Sequence, residues 1–233
     1  MNVAGIRALV FDVFGTLVDW RGGVAREVSA RLGADVDAEA FADAWRARYQ
    51  PAMARVRDGL EPYVPLDVLH RRNLDAVLAA FGLAHADDAL RAELVLAWHR
   101  LDAWPDVTGA LARLRPPFRL APCSNGNIAL MVDLARRNDW RWDAIAGADL
   151  ARDYKPKASV YRAAADAFGC AAHEVLMVAA HSSDLEAAAR AGCRTAFIAR
   201  PDEKGPGGGE TKATVPVDFE AADLAALASQ LGA

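Results

Sequence analysis

An aspartate ends a short apolar run near the start of the chain. The run LVF at residues 9–11 leads to Asp12, and Gly15 and Thr16 follow within four residues. A buried strand that ends in a carboxylate and a glycine turn is how an open α/β sheet presents a nucleophile. An isolated aspartate at such a position is more often a turn residue or a helix cap. The combined FDxxGT pattern favours the interpretation that Asp12 is a nucleophile.

Two further polar clusters follow apolar runs later in the chain. Ser124 and Asn125 come after one run, and His181 and Asp184 come after another. Because ligands bind beyond the carboxyl ends of parallel strands, we expect these clusters to converge with Asp12. A hydroxyl and an amide at such a place can donate hydrogen bonds to an anionic ligand. The alternative for Asn125 is an ordinary Asn-Gly turn.

The elements that must position these residues are short strands that alternate with helices. The candidate strands are Ala8–Phe11, Arg119–Cys123, Ala144–Ala146, Val175–Ala179 and Thr195–Ile198. This alternation is typical of a parallel sheet covered by helices. The sequence therefore predicts an α/β fold with a Rossmann-like parallel sheet core.

Helical spacing of apolar residues replaces the strand runs between Asp19 and Trp104. It predicts about four helices, with breaks near Gly59–Pro65 and Gly82–Asp87. We expect a core domain of residues 1–18 and 105–233 and a helical-bundle cap domain of residues 19–104, inserted after the first strand. An independent helical domain is the alternative. The short connections at both ends favour a cap over the carboxyl edge of the sheet.

Two segments near the C-terminus carry weaker signals. The glycine-rich stretch Pro201–Thr214 lacks the order of a phosphate-binding loop, so we expect a mobile loop there. The stretch Phe219–Leu231 is expected to form a closing amphipathic helix.

Composition excludes several classes of function. The net charge of −4 is spread along 233 residues, which argues against nucleic acid or a membrane surface as a partner. No apolar stretch approaches the roughly 20 residues that cross a bilayer, and the N-terminus lacks the layout of a signal peptide. The three scattered cysteines, Cys123, Cys170 and Cys193, indicate reduced thiols and a cytoplasmic location.

The motifs occur together in an order that resembles the haloacid dehalogenase superfamily. From residue 9 to about residue 200 the chain is similar to the L-2-haloacid dehalogenases (type II) of that superfamily. The resemblance implies that Asp12 displaces halide from a short 2-haloacid with inversion, and that water hydrolyses the resulting ester. It implies no cofactor and no metal. Family members are often dimers, so a homodimer is one expectation.

The resemblance also implies roles for other residues. Thr16 would brace Asp12, and Lys155, directly before Pro156, would pair with Asp12 and lower its pKa. Ser124 would bind the substrate carboxylate, and Asn125 and Arg46 would bind the departing halide. Asp184 would position the hydrolytic water, and Tyr161 would border the site. Helical spacing places Arg46, Tyr49 and Gln50 on one face and leaves Arg48 in solvent. For Tyr161, simple helix packing is an equal alternative.

Two positions depart from the pattern of the superfamily's phosphatases. Its phosphatases carry an acid where this chain has Phe14, and a magnesium ligand where it has Ala180. Both losses argue against phosphoryl transfer, because Mg²⁺ needs several oxygen ligands. Phe14 and Trp20 are expected to form a dry wall around a small substrate.

His181 stands where typical dehalogenases of the family carry Asn. It can act as a base, donate a hydrogen bond to substrate or halide, or simply bind a neighbouring loop. Other carbon–heteroatom hydrolysis on a small carboxylate, and a binding protein that kept the fold, remain alternatives to dehalogenation.

Overall fold

The computed structural model describes residues 3–233, and its centre is a parallel sheet of six strands in the order β3-β2-β1-β4-β5-β6. The strands are β1 Ala8–Phe11, β2 Arg119–Ser124, β3 Ala146–Gly147, β4 Val175–Ala179, β5 Arg194–Ile198 and β6 Phe219–Ala221. Every residue of β1 and β4 is buried, because helices cover both faces of the sheet. The predicted parallel α/β core is confirmed.

The end of the chain differs from its prediction. Phe219 and Ala221 are buried on either side of exposed Glu220, which is the alternation of a strand, and they form β6. The helix begins only at Leu224, after the carboxylate of Asp223 accepts a hydrogen bond from the amide of Ala226. A single helix over Phe219–Leu231 is therefore wrong. The third strand also lies later than the predicted Ala144–Ala146.

A run of helices separates β1 from the rest of the sheet. It comprises α1 Trp20–Leu32, α2 Ala38–Ala47, α3 Tyr49–Arg57, α4 Leu66–Ala80, α5 Asp88–Val95 and a 3₁₀ helix Leu96–His99. The breaks predicted between residues 59 and 65 and between 82 and 87 are confirmed. These helices contact loops at the carboxyl ends of the strands. Arg57 donates to the carbonyl of Lys155 (3.0 Å), and Tyr154 donates to the carbonyl of Val64 (2.7 Å).

Further helices connect the later strands. They are α6 Val107–Leu114, α7 Ile128–Arg137, α8 Ala148–Ala151, α9 Ala158–Ala167, a 3₁₀ helix Ala172–Glu174, α10 Ser182–Arg190 and α11 Leu224–Gln230. Within residues 3–233, none of the helices combines the length and the apolar character that crossing a bilayer requires. The division of the chain after residues 18 and 104 stays a prediction, and the first two residues of segment 1–18 lie outside the described residues.

The glycine-rich loop is anchored to the rest of the molecule, which a mobile loop would not be. Glu203 is only 2% exposed. Glu210 accepts hydrogen bonds from the amide and the hydroxyl of Ser182 at the start of α10. The glycine-rich segment is therefore a folded loop that packs against the rest of the molecule, and not a mobile one as predicted.

Candidate active site

The predicted site residues gather around one cavity of about 990 Å³ at the carboxyl edge of the sheet. The cavity is lined by Asp12, Phe14, Arg46, Asn125, Lys155, His181 and Asp184, together with Trp20, Tyr49 and Gln50. Thr16, Ser124 and Tyr161 lie behind this lining. Ser124 is fully buried and its hydroxyl accepts from the amide of Gly126 (3.0 Å), so its assignment to the substrate carboxylate stays a prediction.

Asp12 is held at the tip of β1 by three side chains. Thr16 donates to its Oδ2 (2.7 Å), Lys155 donates to its Oδ1 (2.7 Å), and Nδ1 of His181 lies 3.2 Å from its Oδ2. Burial alone would raise the pKa of Asp12. The ammonium of Lys155 and the imidazole of His181 outweigh burial and hold that pKa far below its usual range. The carboxylate is therefore ionised and fixed in orientation, as a nucleophile requires.

Lys155 connects the ends of three strands. Its ammonium donates to Asp12 and, at 2.6 Å, to Asp184 on α10. Its main-chain amide donates to Oδ1 of Asn125 (2.8 Å), which leaves the amide NH₂ of Asn125 as the part that can donate to a ligand. Burial would lower the pKa of Lys155, but the two carboxylates raise it above its usual value. Tyr161 donates to the other oxygen of Asp184 (2.5 Å), so this carboxylate too is fixed.

Arg46 reaches the cavity from α2 inside a cage of aromatic rings. Its guanidinium carbon lies 4.1 Å from the centre of the Tyr49 ring, 5.2 Å from Trp20 and 5.9 Å from Phe14. Within residues 3–233 it forms no salt bridge, and its Nη1 is buried without a hydrogen-bond partner. A guanidinium that has no carboxylate partner and one buried, unsatisfied nitrogen is suited to a small anion.

Phe14 belongs to an aromatic wall beside Asp12. Its ring meets Trp98 edge-on at 5.7 Å, and Trp98 stacks on His70 at 4.3 Å. Burial lowers the pKa of His70 to about 3, so this ring is neutral. The position of Phe14 is thus filled by a buried apolar ring, with the uncharged rings of Trp98 and His70 behind it.

Comparison with known proteins shows which family the chain belongs to. A family model described as haloacid dehalogenase-like hydrolase matches residues 6–192. The chain belongs to this family. It is 32% identical to (S)-2-haloacid dehalogenase 1 of Pseudomonas sp. (strain CBS-3) over 198 residues, which cover 84% of this chain and 85% of the relative.

Solved structures of dehalogenases share the fold of this family member. A defluorinating L-2-haloacid dehalogenase superposes with a TM-score of 0.94 and 44% identity, covering 98% of this chain and 96% of the other. An L-2-haloacid dehalogenase from Xanthobacter autotrophicus with chloropropionic acid covalently bound has a TM-score of 0.82 and 26% identity, covering 97% and 98%.

The glycine-rich loop of this dehalogenase-like hydrolase supplies a site residue that sequence reasoning missed. Oε2 of Glu203 lies 2.9 Å from Nε2 of His181, and its Oε1 accepts from the indole of Trp20 (3.0 Å). Burial would lower the pKa of His181, but Asp12 and Glu203 raise it to about 10. Glu203 is not predictable from the sequence, because its segment has the composition of a flexible loop and lies at no fixed spacing from a motif.

Gly15 allows Glu203 to approach the nucleophile. The glycine has a φ of +87°, and a Cβ built on it would lie 2.2 Å from Oε1 of Glu203. Glycine at this position therefore serves both the turn after Asp12 and the space that the Glu203 carboxylate occupies.

Replacing Gly15 with alanine should lower the free energy of unfolding. The left-handed backbone alone costs about 1–2 kcal/mol for a residue with a Cβ, and the overlap with Glu203 adds to this. Gly109, exposed on α6 with nothing near its missing Cβ, is the matched control. Gly109→Ala should be neutral or stabilise by about 0.5–1 kcal/mol. Equal urea midpoints for the two variants would contradict this account.

Replacing Lys155 with methionine should destabilise the protein by about 3 kcal/mol or more, because two buried carboxylates lose their cation. The depressed pKa of Asp12 stabilises the fold above the pKa of an unfolded aspartate, about 3.9, and this contribution disappears as the pH falls. The variant should therefore lose part of the fall in stability that the wild type shows between about pH 5 and pH 2. Denaturant titrations at several pH values measure both effects. Lys157→Met, exposed two residues away, should leave them unchanged.

Proposed function

We propose that this protein hydrolyses short 2-haloacids to 2-hydroxy acids through a covalent ester on Asp12, without a metal. One observation carries the proposal. The ionised carboxylate of Asp12 and the guanidinium of Arg46, which forms no salt bridge within residues 3–233, line the same cavity. The aromatic wall lies between them and the protein core. A nucleophile and a separate anion site in an apolar pocket suit a substrate whose leaving group departs as a small anion.

In the first step a carboxylate oxygen of Asp12 attacks C2 of the substrate. The carbon–halogen bond breaks, its electron pair leaves with the halide, and C2 inverts, so an L-substrate gives a D-product. We assign stabilisation of the departing halide to Arg46 and the amide group of Asn125. The main-chain amides that follow Asp12 are the candidates for holding the substrate carboxylate. Lys155 and Thr16 keep the nucleophile aligned.

In the second step water attacks the carbonyl carbon of the ester and releases the 2-hydroxy acid. Asp184 and His181 flank Asp12 and are the candidates for positioning and activating this water. Tyr161 fixes Asp184, and Glu203 fixes His181. Asp12 is regenerated as a carboxylate.

Phe14 and Ala180 argue against the hydrolysis of phosphoesters. An alkoxide leaving from a phosphoester needs a proton donor, and the ring of Phe14 supplies none. Halide is stable as an anion and needs no proton. Other carbon–heteroatom hydrolysis on a small carboxylate would use the same ester, so the identity of the leaving group is the part of the proposal that an assay must establish.

We further propose that residues 19–104 act as a cap domain over a core of residues 1–18 and 105–233. The hydrogen bonds from Arg57 and Tyr154 across this boundary support the assignment. Three cysteines without a disulfide are consistent with a cytoplasmic protein. The partner expected beyond a small haloacid is a second copy of the chain.

The proposal is tested by halide release from fluoro-, chloro- and bromoacetate and from both enantiomers of 2-chloropropionate, each with and without a chelator. We expect chelator-insensitive release from the (S)-enantiomer and none after Asp12→Asn. Asp166→Asn, an exposed aspartate on α9, is the matched control and should keep wild-type activity. Turnover of a generic phosphoester that requires Mg²⁺, with no halide release, would overturn the proposal.

Arg46→Lys should lower kcat/KM for 2-chloropropionate by at least about tenfold, since an ammonium cannot keep the planar contact with three rings and several donors at once. Arg48→Lys changes an exposed arginine two residues along the chain and should leave kcat/KM within about twofold. Equal effects of the two changes would remove Arg46 from the halide site.

A further inference from the structure

His181 lies between two carboxylates, one on each ring nitrogen. Nδ1 is 3.2 Å from Oδ2 of Asp12, and Nε2 is 2.9 Å from Oε2 of Glu203. Both carboxylates are largely buried, since Glu203 is 2% and Asp12 7% exposed.

This geometry defines the protonation state of the resting site. A neutral imidazole has one N–H and one lone pair, so one of the two carboxylates would face a lone pair. Only an imidazolium donates to both. His181 is therefore a cation while Asp12 is ionised, and a cation with no free lone pair cannot accept a proton from water.

We propose that formation of the ester on Asp12 makes His181 release a proton, and that this release converts it into the base for ester hydrolysis. The inference rests on the proposed function. Esterification removes one of the two negative charges that hold the proton, and it turns the oxygens of Asp12 into weak acceptors. His181 is left with one carboxylate, Glu203, as in the Ser-His-Asp arrangement, where the imidazole acts as a base.

The proton balance of the reaction closes. Ester formation releases halide, and the imidazolium of His181 loses its Nδ1 proton to solvent. Water then gives a proton to Nδ1 while its oxygen bonds to the ester carbonyl carbon. The intermediate collapses, the bond to the alkoxide oxygen breaks, and the second proton of the water moves to that oxygen. The products are halide, a hydroxy acid and one released proton, and His181 is again a cation beside an ionised Asp12.

Glu203 is a positioning residue in this scheme, since it contacts His181 and not the substrate. It keeps the Nε2 proton in place, so that the lone pair forms at Nδ1 next to Asp12. The other charged groups that line the cavity are Lys155, Asp184, Arg46, Asp43, Arg57, Glu186, Arg190, Lys204 and Glu210. The scheme assigns the proton transfer to His181 and to none of these groups, so Asp184 positions the water and does not take its proton.

The test is an NMR titration of the ¹⁵N-labelled histidine rings, with the His181 signal assigned by its loss in His181→Asn. In the wild type we expect an imidazolium throughout pH 6–9. In Asp12→Asn, an uncharged stand-in for the ester, the midpoint should fall by at least about two pH units. Glu203→Gln should also lower the midpoint, which a purely structural role of Glu203 would not require. Glu186→Gln, on the cavity rim, should leave it unchanged.

A neutral His181 at pH 7 in the wild type, or a midpoint that Asp12→Asn leaves unmoved, overturns the inference. Asp12→Ala removes the same charge and replaces Asp12→Asn should the amide variant not fold. A protein that releases halide but shows an unmoved midpoint loses this inference alone. A protein that releases no halide from any haloacid loses the proposed function, whatever the titration shows.

Discussion

The buried ammonium of Lys155 between Asp12 and Asp184 is the contact on which the rest of the site depends. Three charges removed from water are expensive unless each is paired. Pairing them requires that the ends of β1 and β4 and the loop before α9 meet at one point. The parallel sheet does this because it brings its carboxyl ends to a single edge. The ion cluster therefore explains why the order of the strands and the chemistry of the cavity are linked.

The charges around the nucleophile balance. Lys155, His181 and Arg46 face Asp12, Asp184 and Glu203, three cations against three anions. Of these cations, Arg46 forms no salt bridge within residues 3–233, so it is the one with unused capacity for an anion. A haloacid adds one negative charge on binding, and ester formation moves a charge from Asp12 to the halide. The cavity thus redistributes charge among fixed partners, and little reorganisation is needed at the moment of reaction.

The sequence predicts those site residues that directly follow a strand-like apolar run. Asp12, Asn125 and Asp184 follow apolar runs, and the topology of a parallel sheet alone brings such positions together. Glu203 could not be found in this way, because 183 residues separate it from Trp20 and its loop has the composition of a flexible segment. Trp98 and His70 were missed for a related reason. Their helical spacing indicates only burial, and the wall that they form behind Phe14 depends on how separate helices pack. Strand β6 is not predictable as a strand, because three residues are too few to reveal an alternation of buried and exposed side chains.

The contact between Gly15 and Glu203 shows why the sequence motif predicts formation of the ester more readily than its hydrolysis. The FDxxGT turn positions the nucleophile by itself, and the covalent step depends on it directly. In the proposed scheme His181 is the base for hydrolysis, and it is oriented by the carboxylate of Glu203 from a distant loop. A Cβ at residue 15 would overlap that carboxylate. A family member can therefore keep the motif and the first step while its hydrolytic base changes. We therefore expect substitution at Glu203, which does not contact Asp12, to affect hydrolysis of the ester more than its formation.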